Sequence, residues 1–378
     1  MARMAEQQQS QSPLWRTEWV LAVSIPVTIL FLTANEYLLG DLSNQLWYDC
    51  LFVVVFLVIL LSAFSVVRHA NALASLLGEP YGTLILTLAV IGIEVIMIAG
   101  VILTGANNPT LARDTMFSVL MIVLNLLVGT SILLGGLRHN EQSYNLQGAN
   151  AYMGVLLPLS LLGLVLPRLT GSAPGGQVSM VLGVYLMGAS ILLYLVFLGI
   201  QTIRHRDFFK PPQSSEGSAS VSKGHSQQMR SVFAHAVLLV ITMIPIVLLS
   251  SSMATLIDHG LEVLHAPVAM GGFLVAVLVL TPEGLSAFEA ARADRLQRSI
   301  NICLGSALST IGLTIPCVLA ITMFTGTSVV LGLEPVDIFL LVLTLAVSMI
   351  TFGSGRTNVL QGVVHLLLFA TYVALIFD

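Results

Sequence analysis

Long apolar runs separated by short polar breaks recur along the whole chain. Several reach or pass the roughly 20 residues that an α-helix needs to cross a hydrocarbon layer. The pattern predicts eleven helices: Trp19–Leu39, Trp47–Val67, Tyr81–Leu103, Asp114–Gly136, Ala149–Leu166, Val178–Ile200, Val232–Ser251, Pro267–Phe288, Ser299–Met323, Val336–Phe352 and Asn358–Phe377. The first follows a polar dozen residues and is too long an apolar core for a secretory signal, so it reads as a retained helix. The longest polar stretch, 201–231, is rich in Ser, Gly, Pro and Gln. That composition cannot build a core and predicts a flexible linker between two hydrophobic halves.

Composition turns this pattern into a fold class. Of 378 residues only 9% are charged, where a soluble chain carries roughly a quarter. Mean hydropathy is +0.93. The chain reads as an all-α polytopic membrane protein of about eleven spans. Cys50, Cys303 and Cys317 lie in or beside apolar segments and read as small hydrophobes, not as a disulfide framework or a zinc site.

Charge placement orients the spans. With the N-terminus in the cytoplasm, thirteen basic residues fall inside: Arg3, Arg16, Arg68, Arg138, Arg204, Arg206, Lys210, Lys223, Arg230, Arg292, Arg295, Arg298 and Arg356. Only Arg113 and Arg168 fall outside. Lys and Arg collect on the cytoplasmic side of membrane proteins, and one missed helix would spoil the alternation. The linker is therefore expected in the cytoplasm and Asp378 outside.

The halves resemble each other. Aligning Glu94 in Tyr81–Gly100 with Glu283 in Met270–Ala290 also aligns Gly82 with Gly271. Each segment is the second span of a five-helix half once the first helix is set aside, and each precedes a span rich in small or polar residues. Five is odd, so the second half enters from the opposite side and the repeat is inverted, a transporter design with its substrate site where the repeats meet. The expected organisation is 1–45 as N-terminus and extra helix, 46–200 as first repeat, 201–231 as linker and 232–378 as second repeat.

Glu94 and Glu283 carry the chemistry. An acid in hydrocarbon costs at least roughly 2.5 kcal/mol on insertion scales, and no Lys or Arg sits deep in any predicted span. A proton or a cation relieves the cost, and the two compete for the same oxygens. Two carboxylates balance one divalent ion and offer up to four oxygens, where Ca²⁺ takes six to eight. Thr87, Thr281, Ser306, Asn301, Asn125, backbone carbonyls or water are candidates to complete the shell. Pro282 and Pro316 are expected to free backbone carbonyls, and Pro282 to break its helix near Glu283. His235 and His365 within spans, and His69 beside Arg68, read as structural histidines. No G-x-x-x-x-G-K-[ST] loop is present, so no ATPase is expected and transport draws on gradients.

Three stretches carry a family resemblance: "FSVVRHANALASLLGEPYGTLILTLAVIGIEV" (64–95), "HAPVAMGGFLVAVLVLTPEGLSA" (265–287) and "FGSGRTNVLQG" (352–362). They resemble bacterial sodium–calcium/proton antiporters of the cation/Ca²⁺ exchanger superfamily, over about 60–377. The resemblance implies inverted repeats with an essential acid in each, falling on Glu94 and Glu283, and a small-polar "GS" element matching Gly305 and Ser306. It implies export of Ca²⁺, Na⁺ or K⁺ for entering H⁺ across a bacterial inner membrane. Two features depart from it. Ile91 and Leu280 stand where many calcium/proton exchangers have the Asn of "GNxxE", and Leu120 and Met121 stand at the first-half "GS" position. Fewer side-chain oxygens keep a monovalent-selective Na⁺(K⁺)/H⁺ antiporter open as the alternative, with a cation channel behind it. The expected partners are small inorganic cations and membrane lipid, with room for a homo-oligomer. No enzyme activity, bound cofactor or nucleic acid is expected.

Overall fold

The computed structural model of the chain describes residues 18–77, 88–89, 91–99, 109–171, 174–210, 225–326 and 328–378, with backbone alone over 225–230. The described helices are α1 (Trp19–Thr33), α2 (Asn35–Leu39), α3 (Gln45–Leu77), α4 (91–99), α5 (Leu111–His139), α6 (Leu146–Leu169), α7 (Met180–Arg204), α8 (His225–Leu264), α9 (Ala269–Arg292), α10 (Leu296–Thr325), α11 (Pro335–Thr351) and α12 (Val359–Ile376). A helix stands at the place of every predicted span. The first span is divided at Ala34 into α1 and α2. Most of the third lies outside the described residues, and α4 is the part seen. Eight described helices are long and apolar enough to cross a membrane, with α1 and α11 shorter. The chain is a multi-pass membrane protein.

The connections sort onto two faces. On one, β1 (Gln142–Ser143) pairs antiparallel with β2 (Arg356–Thr357). There Gln142 donates to Asp294 Oδ1 at 2.8 Å, and Asn145 Nδ2 donates to the Asp207 carbonyl at 3.1 Å. Connections α5–α6, α7–α8, α9–α10 and α11–α12 therefore share this face, which carries Arg138, Arg206, Lys210, Arg292, Arg295, Arg298 and Arg356. On the opposite face Arg113 Nη1 donates to the Gly332 carbonyl at 3.1 Å, and Arg168 pairs with Glu334 at 2.8 Å. The described basic residues thus fall on the two faces as the charge alternation requires.

The halves interleave. α3 packs along α8, α5 against α9, and α7 against α10. Every residue of Leu111–Met121 in α5 is buried, with Arg113 and Asp114 paired to each other at 2.8 Å. The α5–α9 crossing is close. A Cβ on Gly272 would lie 2.7 Å from the Asp114 carbonyl carbon and from the Thr115 nitrogen, both backbone atoms.

Two sequence expectations change. Pro282 does not break its helix, since α9 runs through it. The Thr281 hydroxyl bonds the Val277 carbonyl at 2.6 Å and the Ser286 hydroxyl bonds the Pro282 carbonyl at 3.0 Å, i to i−4 bonds to their own helix on either side of the proline. The polar stretch from 201 is also partly built. α7 continues to Arg204, and Arg206–Phe209 form a 3₁₀ turn against the bundle.

Gly272→Ala tests the crossing. Alanine is the better helix former by about 1 kcal/mol, yet overpacking costs about 1–3 kcal/mol. The expected outcome is a lower melting temperature of the detergent-solubilised protein. An unchanged or higher one would remove the close approach.

Candidate functional site

Glu94 sits on α4, 97% buried. Thr310 Oγ1 donates to its Oε2 at 2.7 Å, and Thr314 Oγ1 donates to its Oε1 at 3.2 Å. Both hydroxyls come from one π-helical turn of α10, Thr310–Thr314. A π turn replaces the i→i+4 hydrogen bond by i→i+5 and occurs often at functional sites. The first half carries its counterpart in α5, the π turn Ile122–Leu127. In each half, then, the helix after the glutamate-bearing one departs from α geometry.

Glu283 sits on α9, 94% buried. No hydroxyl reaches its Oε2, which is buried without a hydrogen-bond partner. The carboxyl instead lines a cavity of about 370 Å³, together with Ser286, Ser306 and Ser309. Arg206, Lys210 and Arg298 line the same cavity, which places its mouth at the basic face. Glu94 and Glu283 are near enough to interact electrostatically. Among the described residues neither has an ion-pair partner, and no group of three or more His, Cys, Asp or Glu is arranged to hold a metal ion. The two acids therefore differ. One is gripped by hydroxyls, and the other lines a cavity while its Oε2 is buried without a partner.

The remaining candidates fall in several places. Ser306 lines the cavity, and its carbonyl accepts from Ser309 at 2.9 Å. Asn301 also lines it, but its amide is engaged: Oδ1 accepts from Gln297 at 2.9 Å and Nδ2 donates to the Phe209 carbonyl at 2.7 Å. Asn125, fully buried on the α5 π turn, donates to Thr344 Oγ1 at 3.0 Å and meets His365 Nδ1 through Oδ1 at 3.2 Å. Thr281 spends its hydroxyl on its own helix, and Thr87 lies outside the described residues. Thr310 and Thr314 are the residues that sequence reasoning left out of the site. Their signal is a pair of hydroxyls four apart, in the helix after the second acid.

The histidines are held as structural groups. His365 Nε2 meets Thr351 Oγ1 at 3.0 Å, opposite its contact with Asn125. His69 Nδ1 meets His235 Nδ1 at 3.0 Å, and His69 Nε2 meets Glu18 Oε2 at 3.3 Å, joining α1, α3 and α8.

The profile of the sodium/calcium exchanger protein family matches this chain over residues 47–203 and 234–377. The sodium-potassium/proton antiporter ChaA of Escherichia coli K12 is 41% identical over 319 residues, covering 84% of this chain and 86% of that protein. The Ca²⁺/H⁺ antiporter ChaA of Bacillus subtilis 168 is 23% identical over 355 residues, covering 94% of this chain and 95% of that protein. In fold, the chain matches the structure of native YfkE with a TM-score of 0.72 at 18% identity, covering 95% of this chain and 98% of that one. Two matched halves, each supplying one buried acid to the interior, place the chain in the sodium/calcium exchanger family.

Proposed function

We propose that the chain is a secondary antiporter that exchanges cations for protons at Glu94 and Glu283. The observation that carries this is the pair itself: two carboxylates, one per half, buried within electrostatic reach of each other and without a basic partner among the described residues. Each site state must cancel that charge, with protons or with a cation. The relatives' names support the exchange, one being a sodium-potassium/proton antiporter and another a Ca²⁺/H⁺ antiporter.

Among cations Na⁺ and K⁺ are supported by the 41% identity to the sodium-potassium/proton antiporter. The described side-chain oxygens at the acids, two carboxylates with the hydroxyls of Thr310, Thr314, Ser286, Ser306 and Ser309, are enough in number for the six to eight that Ca²⁺ takes. Ca²⁺ transport is the second reading, favoured by two acids matching one divalent charge. The cavity supports access to Glu283 from the basic face. Charge bias makes that face cytoplasmic, in a bacterial inner membrane, with the N-terminus inside and the C-terminus outside. The organisation that fits is one extra N-terminal helix and two inverted five-helix repeats.

Three outcomes are expected in proteoliposomes. Cation addition releases protons from the wild type, and Glu94→Gln or Glu283→Gln abolishes the flux. Exchange that persists in both variants would contradict the assignment. Thr310→Ala removes a hydrogen bond to a charged group, worth about 1.5–3 kcal/mol. It is expected to raise the cation KM about tenfold or more, while Thr310→Ser restores it. Because protons occupy the same oxygens, raising the pH should lower the apparent cation KM, by up to about tenfold per unit for each competing proton. A KM flat between pH 6 and 8.5 would separate the two binding events.

A further inference from the structure

The mouth of the cavity is basic, an unexpected lining for a cation route. Arg206 and Lys210 belong to the turn that leaves α7, and Arg298 to the first turns of α10. All three are exposed. The turn is fastened in place: Asn301 bonds the Phe209 carbonyl, Asn145 bonds the Asp207 carbonyl at 3.1 Å, and the Phe209 ring packs edge-on against Tyr152 at 5.3 Å and Phe197 at 5.8 Å. The one acid on the turn, Asp207, pairs with Lys210 at 2.7 Å, which holds its carboxyl below the usual range. It therefore stays charged, and the collar carries a net positive charge. Arg138 and Arg295 lie on the same face without lining the cavity, and they serve below as controls for the general basic charge of that face.

We propose that Arg206, Lys210 and Arg298 form a valence filter at the mouth, selecting monovalent over divalent cations before they reach Glu283. The inference rests on the reading that this cavity leads to the exchange site. A positive potential depletes a cation by a Boltzmann factor whose exponent scales with the ion's charge. Whatever factor applies to Na⁺ or K⁺ is squared for Ca²⁺. Low-dielectric walls focus such a field, and the Debye length of about 8 Å at physiological salt lets it span a narrow opening.

The test uses the full chain in proteoliposomes with the basic face accessible. The variant Arg206→Gln/Lys210→Gln/Arg298→Gln is compared with wild type and with Arg138→Gln/Arg295→Gln. Apparent KM is read from proton flux for Na⁺ and K⁺. For Ca²⁺ it is read as KM where the ion is transported, or as Ki against Na⁺ where it inhibits. The triple variant should lower the monovalent KM about threefold and the Ca²⁺ constant about tenfold, a doubled logarithmic change, with kcat unchanged. The control should match wild type. Choline chloride at 1 M, which shortens the Debye length to about 3 Å, should erase the difference. Equal fold-changes for both valences, no change, or a triple variant indifferent to Ca²⁺ would each overturn the filter. Failure of the underlying reading shows separately, as a wild type without cation-driven proton release.

Discussion

Two carboxylates held inside an apolar bundle without a basic partner set the terms for everything else in this protein. Their charge is costly in a low-dielectric interior unless something cancels it. Among the described residues Glu94 has two hydroxyls and Glu283 has an open cavity. Neither arrangement neutralises the acid. On the proposed reading the neutralising species comes from solution through the cavity on the basic face. Exchange then follows from electrostatics: a site that must hold a proton or a cation, and has room for either, trades one for the other.

The two halves use the same plan with different details. In both, the helix after the glutamate-bearing one contains a π turn. In the second half that turn presents Thr310 and Thr314 to Glu94. In the first it presents Asn125, whose amide is taken by Thr344 and His365. The repeats are therefore alike in backbone and unlike in the donors they offer. This asymmetry leaves one oxygen of Glu283 unsatisfied beside the cavity. An orphaned buried acceptor is costly.

Much of this was legible in the chain. Apolar runs of about twenty residues located each helix, because a membrane span is set by length and hydropathy alone. The charge skew sorted the connections, and contacts such as Gln142 with Asp294 and Arg168 with Glu334 bear out that sorting. A lone acid in an apolar run announced both glutamates. The hydroxyl pair was hidden because Ser and Thr in such helices usually bond their own backbone, as Thr281, Thr242 and Thr322 do. Whether a hydroxyl turns inward depends on helix rotation, which the π turns shift and hydropathy does not encode. Asn301 and Asn125 are candidate ligands by type, and each also holds partners distant in sequence, Phe209 for Asn301 and Thr344 and His365 for Asn125. Pro282 suggested a break, and the helix runs through it.

Proton release on cation binding tests the central claim most directly. Purified protein is titrated with Na⁺, K⁺ or Ca²⁺ in calorimetry, near neutral pH, in two buffers of different ionisation enthalpy. The account predicts an apparent binding enthalpy that changes with the buffer, reporting protons expelled as the cation binds. A cation that binds with the same enthalpy in both buffers would show that protons and metal ions do not share these carboxylates.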